Sequence, residues 1–248
     1  MVRGELNRHS LQEEILRRNI NYAGYVHQKT VKPYVQQAFE YDMTRTSTTT
    51  FFSTMNRHTE EIYQINGTFF PYANPYENVT ELTRGEQRVV TYEIFHKKWK
   101  EKVAESTKAD TYATFKPNMK FETYLYHNNR KERVMLTKLR LSDHKLEVEV
   151  GRHNRPLVPR LERKCHMCPD CVEDEIHFLT DCRLYGNREK YWDIIYNRVP
   201  QISTHSNTDR FIYIMTQDDT ELTKIVLKMV YEWMTFRKFL HENFFHQN

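Results

Sequence analysis

Apolar positions recur at three- and four-residue spacing along most of this chain, and the strongest such run is its last. Between residues 219 and 245, Ile225, Val226, Met229, Val230, Trp233, Phe236, Phe239 and Leu240 form a broad stripe, the width that a core-facing helix carries. A shorter helix is predicted just before it, over 209–215, with Ile212 on its apolar side. Toward the other end, Ser10 and Glu13 have capping-box spacing, and Leu11, Ile15, Tyr22 and Val26 share one face of a packing helix. Pro33 marks a break. A second helix is predicted over 50–65, with Phe51, Phe52, Met55, Ile62 and Ile65 as its apolar set and the Thr/Ser cluster of 44–50 leading in.

The middle of the chain is punctuated more often. Residues 66–80, NGTFFPYANPYENVT, combine two prolines, a glycine and several asparagines and read as a linker, its aromatics tacked down rather than stacking on bases. Residues 84–105 predict a helix through Val89, Val90, Ile94, Phe95 and Trp99; Lys97, Lys98, Lys100 and Lys102 suit its negative C-terminal end. After Pro117, a helix is predicted over 121–141. Leu146, Val148 and Val150 then alternate with acids as a strand would, while Ser142 offers a helix cap, so both readings stay open there. Residues 185–199 predict another helix, stopped by Pro200 and followed by a polar loop, QISTHSNTD. These elements make a mainly α chain, a multi-helix domain with a small insertion whose cysteine and histidine spacing, C-x2-C-x8-H-x4-C from Cys165, suits zinc binding, and divide it into segments 1–66, 81–160, 161–186 and 187–248.

Composition agrees with helices: only 6 glycines occur among 248 residues, and the 33 aromatic residues argue against disorder. A chain this long builds a core without disulfides. No apolar segment follows Met1 and no run approaches the roughly 20 apolar residues that cross a bilayer. The expectation is an intracellular protein, nuclear or cytoplasmic, whose thiols stay reduced.

The net charge of +4 is too small to name a partner, but its distribution is uneven. Residues 130–164 hold eleven Lys/Arg against five Asp/Glu, a local excess larger than that of the whole chain. Lys138, Arg140, Arg152, Arg155, Arg160, Arg163 and Lys164 are the candidate phosphate contacts for RNA or DNA; a solvated face accounts for the same charges.

All four cysteines follow immediately. Cys165, Cys168, His177 and Cys182 spell C-x2-C-x8-H-x4-C, two close thiols and a distant His/Cys pair that can surround one tetrahedral zinc. A second register, Cys168 and Cys171 with His177 and Cys182, gives C-x2-C-x5-H-x4-C, and His166 is a further candidate ligand. His177 and Cys182 lie about 140° apart on an ideal helix, so both reach one ion only if that helix ends near Thr180. Glu173, Asp174 and Glu175 read as first-turn acids complementing the helix dipole. Asp218 and Asp219 look like a paired-aspartate motif but have no palm sequence around them, and Asp143, His144 and Glu147 have no nucleophile beside them. The chain is therefore expected not to be an enzyme.

The run from LTKLRLSDHKLEVEVGRHNRP through RKCHMC to VEDEIHFLTDCRLYGNRE resembles the region downstream of the polymerase domain in non-LTR (LINE-type) retrotransposon reverse transcriptases. VRGELNRHSLQEEI near the start and FIYIMTQDDTELTKIVLKMVYEWMTFRKFL near the end are similar as well. The resemblance implies an accessory region with a zinc-knuckle-like segment, ligated in the Cys165/Cys168 register. It also implies help in holding template RNA or target DNA for a separate retroelement polymerase domain. The same likeness also fits a structural or protein-interaction remnant of the polyprotein.

Overall fold

The computed structural model describes residues 1–8, 32–43 and 84–245, together with Leu11, Glu14, Ile15, Arg17, Arg18, Tyr22 and Tyr25. The helix predicted over 50–65 and the linker of 66–80 lie outside the described residues. Two compact units divide the chain: Met1–Asn7 with Lys102–Asn248, and Arg8–Glu101. The described residues are mainly helical and contain no strand; Lys164 and Val172 form an isolated antiparallel bridge.

The Arg8–Glu101 unit contains α2, Pro33–Met43, whose first residue is the proline read as a break. It also contains most of α3, Arg84–Ala104, close to the predicted 84–105. Leu11, Ile15 and Tyr22 are helical but exposed, not the packed face that their spacing predicts. Glu14 is held by Arg17 and Arg18 on the same helical stretch, each at 2.8 Å.

The larger unit opens with the short α1, Val2–Glu5. It continues with α4 (Asp110–Phe115), α5 (Arg130–Arg140), α6 (Glu147–His153), α7 (Glu175–Thr180), α8 (Arg188–Arg198), α9 (Asn207–Thr216) and α10 (Thr220–Leu240). The apolar stripe of α10 is its centre: Leu222, Val226, Leu227, Met229, Val230 and Trp233 are buried, and α5 packs along it. Besides that of α7, three starts among the described residues are fixed by side-chain caps, which satisfy backbone N–H groups that have no partner within a helix. Asn129 accepts from the Lys131 amide, Ser206 from that of Asp209, and Asp219 from those of Glu221 and Leu222. The Asn129 cap explains why the predicted 121–141 helix is broken: residues 123–126 form a separate single turn, and α5 begins only at Arg130. The Ser206 cap likewise turns the end of the predicted polar loop into the first turn of α9.

Residues 147–153 are a helix, which decides the open choice between helix and strand. Two of its leading amides are supplied with acceptors by Glu173: Glu147 N–H donates to the Glu173 carboxylate (2.8 Å) and Val148 N–H to the Glu173 carbonyl (3.1 Å). The alternation seen in the sequence arises because Leu146 and Val148 are both buried, one at the cap and one in the first turn.

α5 ends in a Schellman arrangement. Ser142 has φ 53°, its amide donates to Leu139 O (3.2 Å), and the Asp143 amide donates to Lys138 O (2.8 Å). Glycine is the usual residue at this left-handed position, which costs other residues about 1–2 kcal/mol. Serine is accounted for by its buried hydroxyl, which donates to Glu175 Oε1 at 2.7 Å, a charge-assisted bond of about 1.5–3 kcal/mol. Ser142→Ala, which keeps the strain and loses the bond, is expected to cost about 2–3 kcal/mol; Ser142→Gly, which relieves the strain, about 1 kcal/mol. Urea unfolding of the two variants checks this, and a glycine variant more stable than the parent protein would contradict it.

Candidate metal centre

The basic segment before α7 folds back on itself. Cys165 N–H donates to Cys171 O (3.0 Å), Cys171 N–H to Cys168 O (2.9 Å), and Lys164 pairs with Val172 across the turn. This turn presents Cys165 and Cys168 toward α7, which carries His177. Asp174 caps α7, its Oδ1 accepting from the His177 amide at 2.9 Å.

α7 then stops where the ligand spacing requires. Its last residue is Thr180, and the amides of Asp181 and Cys182 both donate to His177 O, at 3.1 and 2.9 Å. Wrapping two amides onto one carbonyl tightens the chain beyond the helix and turns Cys182 back toward the His177 side, removing the 140° obstacle.

One ligand atom from each of Cys165, Cys168, His177 and Cys182 lies within 4.8 Å of the others. The sulfurs of Cys165 and Cys182 are 3.7 Å apart. Tetrahedral zinc with Zn–S bonds of about 2.3 Å places its sulfurs about 3.8 Å apart, so this pair already has a ligand-pair separation. Cys165, His177 and Cys182 are buried, and His177 Nε2 is enclosed without a hydrogen-bond partner. A buried imidazole nitrogen in that condition carries a desolvation cost, which a cation offsets.

The electrostatics point the same way. The hydrogen bond from Cys182 holds the Cys165 thiol well below its usual range, assisted by His177 and by the backbone amides of Met167 and Cys168. The same shared proton, together with burial, pushes the Cys182 thiol up. A divalent cation bound by both sulfurs would take the place of a proton between them. Backbone amides donating to Cys165 and, from Leu184, to Cys182 are the outer support that thiolate ligands need.

The alternative ligands fit less well. Cys171 lies within reach of His177 and Asp181, but that set holds one thiol, and Asp181 is exposed and faces Arg188 at 3.8 Å. Burial pushes the Cys171 thiol up. His166 belongs to neither cluster; its Nε2 lies 3.1 Å from Glu147. The four-residue cluster can hold a metal ion, and its donors suit zinc.

No protein-family model, curated protein or solved structure matches this chain. The chemistry of the cluster therefore rests on its own residues.

The acids around α7 do more than complement its dipole. Glu173 is buried against Arg237 of α10, with bonds of 2.9 Å from Nε and 2.6 Å from Nη2, and Arg237 also reaches Glu147 at 3.1 Å. Burial pushes the Glu173 carboxyl up even so, with Arg237 opposing the shift. Glu175 accepts from Ser142 (2.7 Å) and Thr111 (2.8 Å) and lies 2.9 Å from His144 Nε2. Burial works against its ionisation, but the bonds from His144 and Ser142 outweigh it and hold the carboxyl at about 2. Tyr185 stacks on Trp233 with centroids 4.8 Å apart, and Phe178 meets both rings edge-on. Two buried polar anchors and an aromatic cluster thus bolt the cysteine-bearing segment to the helical body. The sequence contains a signal for Arg237: the stripe Val226, Val230, Trp233 reaches it at helical spacing, placing a cation on the core face.

The seven predicted phosphate contacts separate into two groups. Arg140 is a core residue, 2% exposed at its side chain. Its guanidinium bonds Glu5 (2.8 Å), Glu122 (2.9 Å) and Met215 O (2.6 Å), and lies over Phe115 and Tyr124. It ties α1 and α9 to α5 and is closed to phosphates. Arg163 is buried too, donating to Val148 O and Val158 O; its stem passes so close to Gly151 that a Cβ there would meet Cγ at 2.7 Å. Arg152 is occupied by Glu149 and Thr107, and Arg160 by Asp110 and Asp174. Lys138, Arg155 and Lys164 are exposed and without an ion pair among the described residues, with Lys164 donating to Asp170 O at 3.2 Å. The paired aspartates are structural: Asp219 caps α10 and binds Arg198, and Asp218 binds Lys120 and Thr123.

Proposed function

We propose that this chain is a non-catalytic nucleic-acid-binding module folded around one structural zinc, derived from the C-terminal region of a non-LTR retrotransposon reverse transcriptase. The observation that carries the reading is the Cys165, Cys168, His177, Cys182 cluster, three of its four residues buried, which follows directly on the most basic part of the chain. A closed set of four protein donors leaves no position at which water is activated, so such a zinc orders the backbone and does not hydrolyse. It would be held by these four residues and would hold a loop too short to build a core of its own.

The RNA- or DNA-facing cations of this reading are Lys138, Arg155 and Lys164, with Arg152 and Arg160 at the margin. Three phosphate contacts predict a modest salt slope, about −2 to −3 in log affinity against log salt, against −5 to −6 had all seven contributed. Between 50 and 200 mM salt, affinity is expected to fall roughly 20-fold for a single-stranded oligonucleotide and roughly 40-fold for a duplex. Fluorescence anisotropy across that series tests it; no binding at 50 mM, or binding indifferent to salt, would overturn it.

A second reading, a protein-interaction remnant without nucleic-acid binding, draws support from Leu157, Leu161 and Met167, which are 58%, 75% and 54% exposed around the cysteine turn. Self-association of the purified chain that Leu161→Asp abolishes, with no oligonucleotide binding, is the result that favours it.

A further inference from the structure

A cleft of about 340 Å³ opens between the C-terminal end of α5, the Ser142–Lys145 turn, α6 and the end of α10. None of the four metal-type residues lines it, although Lys138, Ser142, His144 and Arg237, described above, do. Its volume is at the small end of the range of ligand sites. Met135, Val150 and Met234 give it an apolar wall.

Its charges do not cancel. Arg237 is committed to Glu173, Glu149 to Arg152 at 3.0 Å, and Lys238 to Glu242 at 3.6 Å. Lys108, Lys138 and Lys145 are left without an ion pair among the described residues, against Asp143 alone. Lys108 is half-buried and makes no ion pair among the described residues, although its charge acts on the Glu149 carboxyl. Burial pushes the Glu149 carboxyl up, with Arg152, His144 and Lys108 opposing the shift. His153 lines the rim beside these lysines.

Lysines converging from three separate elements on one concave site are suited to an anion with several acceptor oxygens. We propose that this cleft binds a phosphate group, with the uncharged part of the ligand against Met135, Val150 and Met234. A terminal phosphate of a nucleic acid and a small phosphomonoester share that chemistry. The proposal stands apart from the nucleic-acid reading, although Lys138 belongs to both.

The test is calorimetric titration of the metal-loaded full chain with adenosine 5′-monophosphate and with adenosine, at about 50 mM salt. The monophosphate is expected to bind saturably, and adenosine at least about tenfold more weakly, the loss that follows from removing charge-assisted bonds. Lys138→Glu with Lys145→Glu is expected to weaken the monophosphate at least about tenfold, whereas Lys131→Glu, at the far end of α5, leaves it within about twofold. Asp143→Asn removes the opposing carboxylate and is expected to tighten binding about two- to fivefold. No saturable binding, equal affinity for adenosine, or an equal loss in Lys131→Glu overturns the proposal. Displacement of the bound monophosphate by an oligonucleotide assigns the cleft to nucleic-acid phosphate; simultaneous binding assigns it to a small ligand. Monophosphate binding in a chain that binds no oligonucleotide supports the cleft and overturns the nucleic-acid reading alone.

Discussion

Withdrawing the proposed zinc is expected to unfold residues 164–182, α7 included, and to destabilise the whole larger unit. Structural zinc of this donor type contributes apparent binding free energies of about 10–16 kcal/mol at neutral pH, more than the total stability of most domains. The cost reaches beyond the loop because Glu173 and Glu175 lie between Cys171 and His177 and carry the anchors to Arg237 and His144. Hydrogen exchange with and without a chelator checks this: amides of 164–182 are expected to lose protection first, followed by α6, whose first turn donates to Glu173. Cys165→Ser or Cys182→Ser is expected to reproduce the chelated state, and Cys171→Ser to leave exchange unchanged. Equal protection with and without chelator would contradict the structural role of the metal.

The second large effect is expected at Arg237, whose side chain is 1% exposed. Arg237→Leu leaves the Glu173 carboxylate buried with its guanidinium gone, a change that costs about 3–5 kcal/mol. The same substitution combined with Glu173→Gln removes the stranded charge and keeps an acceptor for the Glu147 amide, so about half of the loss is expected to return. Urea unfolding of the metal-loaded variants measures both. If the double variant is no more stable than Arg237→Leu alone, the loss comes from packing and not from the buried charge.

The legibility of this chain followed the period of its apolar residues. Where a stripe is long and continuous, as in α10, the helix was evident from spacing, and so was part of its buried face, Val226, Met229, Val230 and Trp233, whereas Phe236 and Phe239 of the same stripe are exposed; where a side-chain cap interrupts it, as at Asn129, the sequence read as one helix and the structure has two elements. The four clustered metal-type residues were evident from their spacing, because short-range cysteine and histidine patterns constrain geometry directly. The end of α7 at Thr180, required by that spacing, is supplied by two amides converging on His177 O.

What the sequence could not separate was which charges face water. Arg140 and Lys138 stand two apart on α5, and one is enclosed by Glu5 and Glu122 while the other is exposed; the deciding partner, Glu5, is 135 positions away. Glu173 and Glu175 read only as first-turn acids complementing the helix dipole for the same reason, since Arg237 and His144 come to them from distant segments. Long-range ion pairs leave no periodic trace, and a local excess of positive charge therefore overstated the phosphate-facing surface.

The most direct measurement of the central claim is elemental analysis joined to X-ray absorption at the zinc edge on the purified chain. One zinc per chain, with three sulfur and one nitrogen neighbours, retained in Cys171→Ser and lost in Cys165→Ser with Cys182→Ser, is the predicted result. A chain without metal, or one whose zinc survives loss of Cys165 and Cys182, would contradict the account.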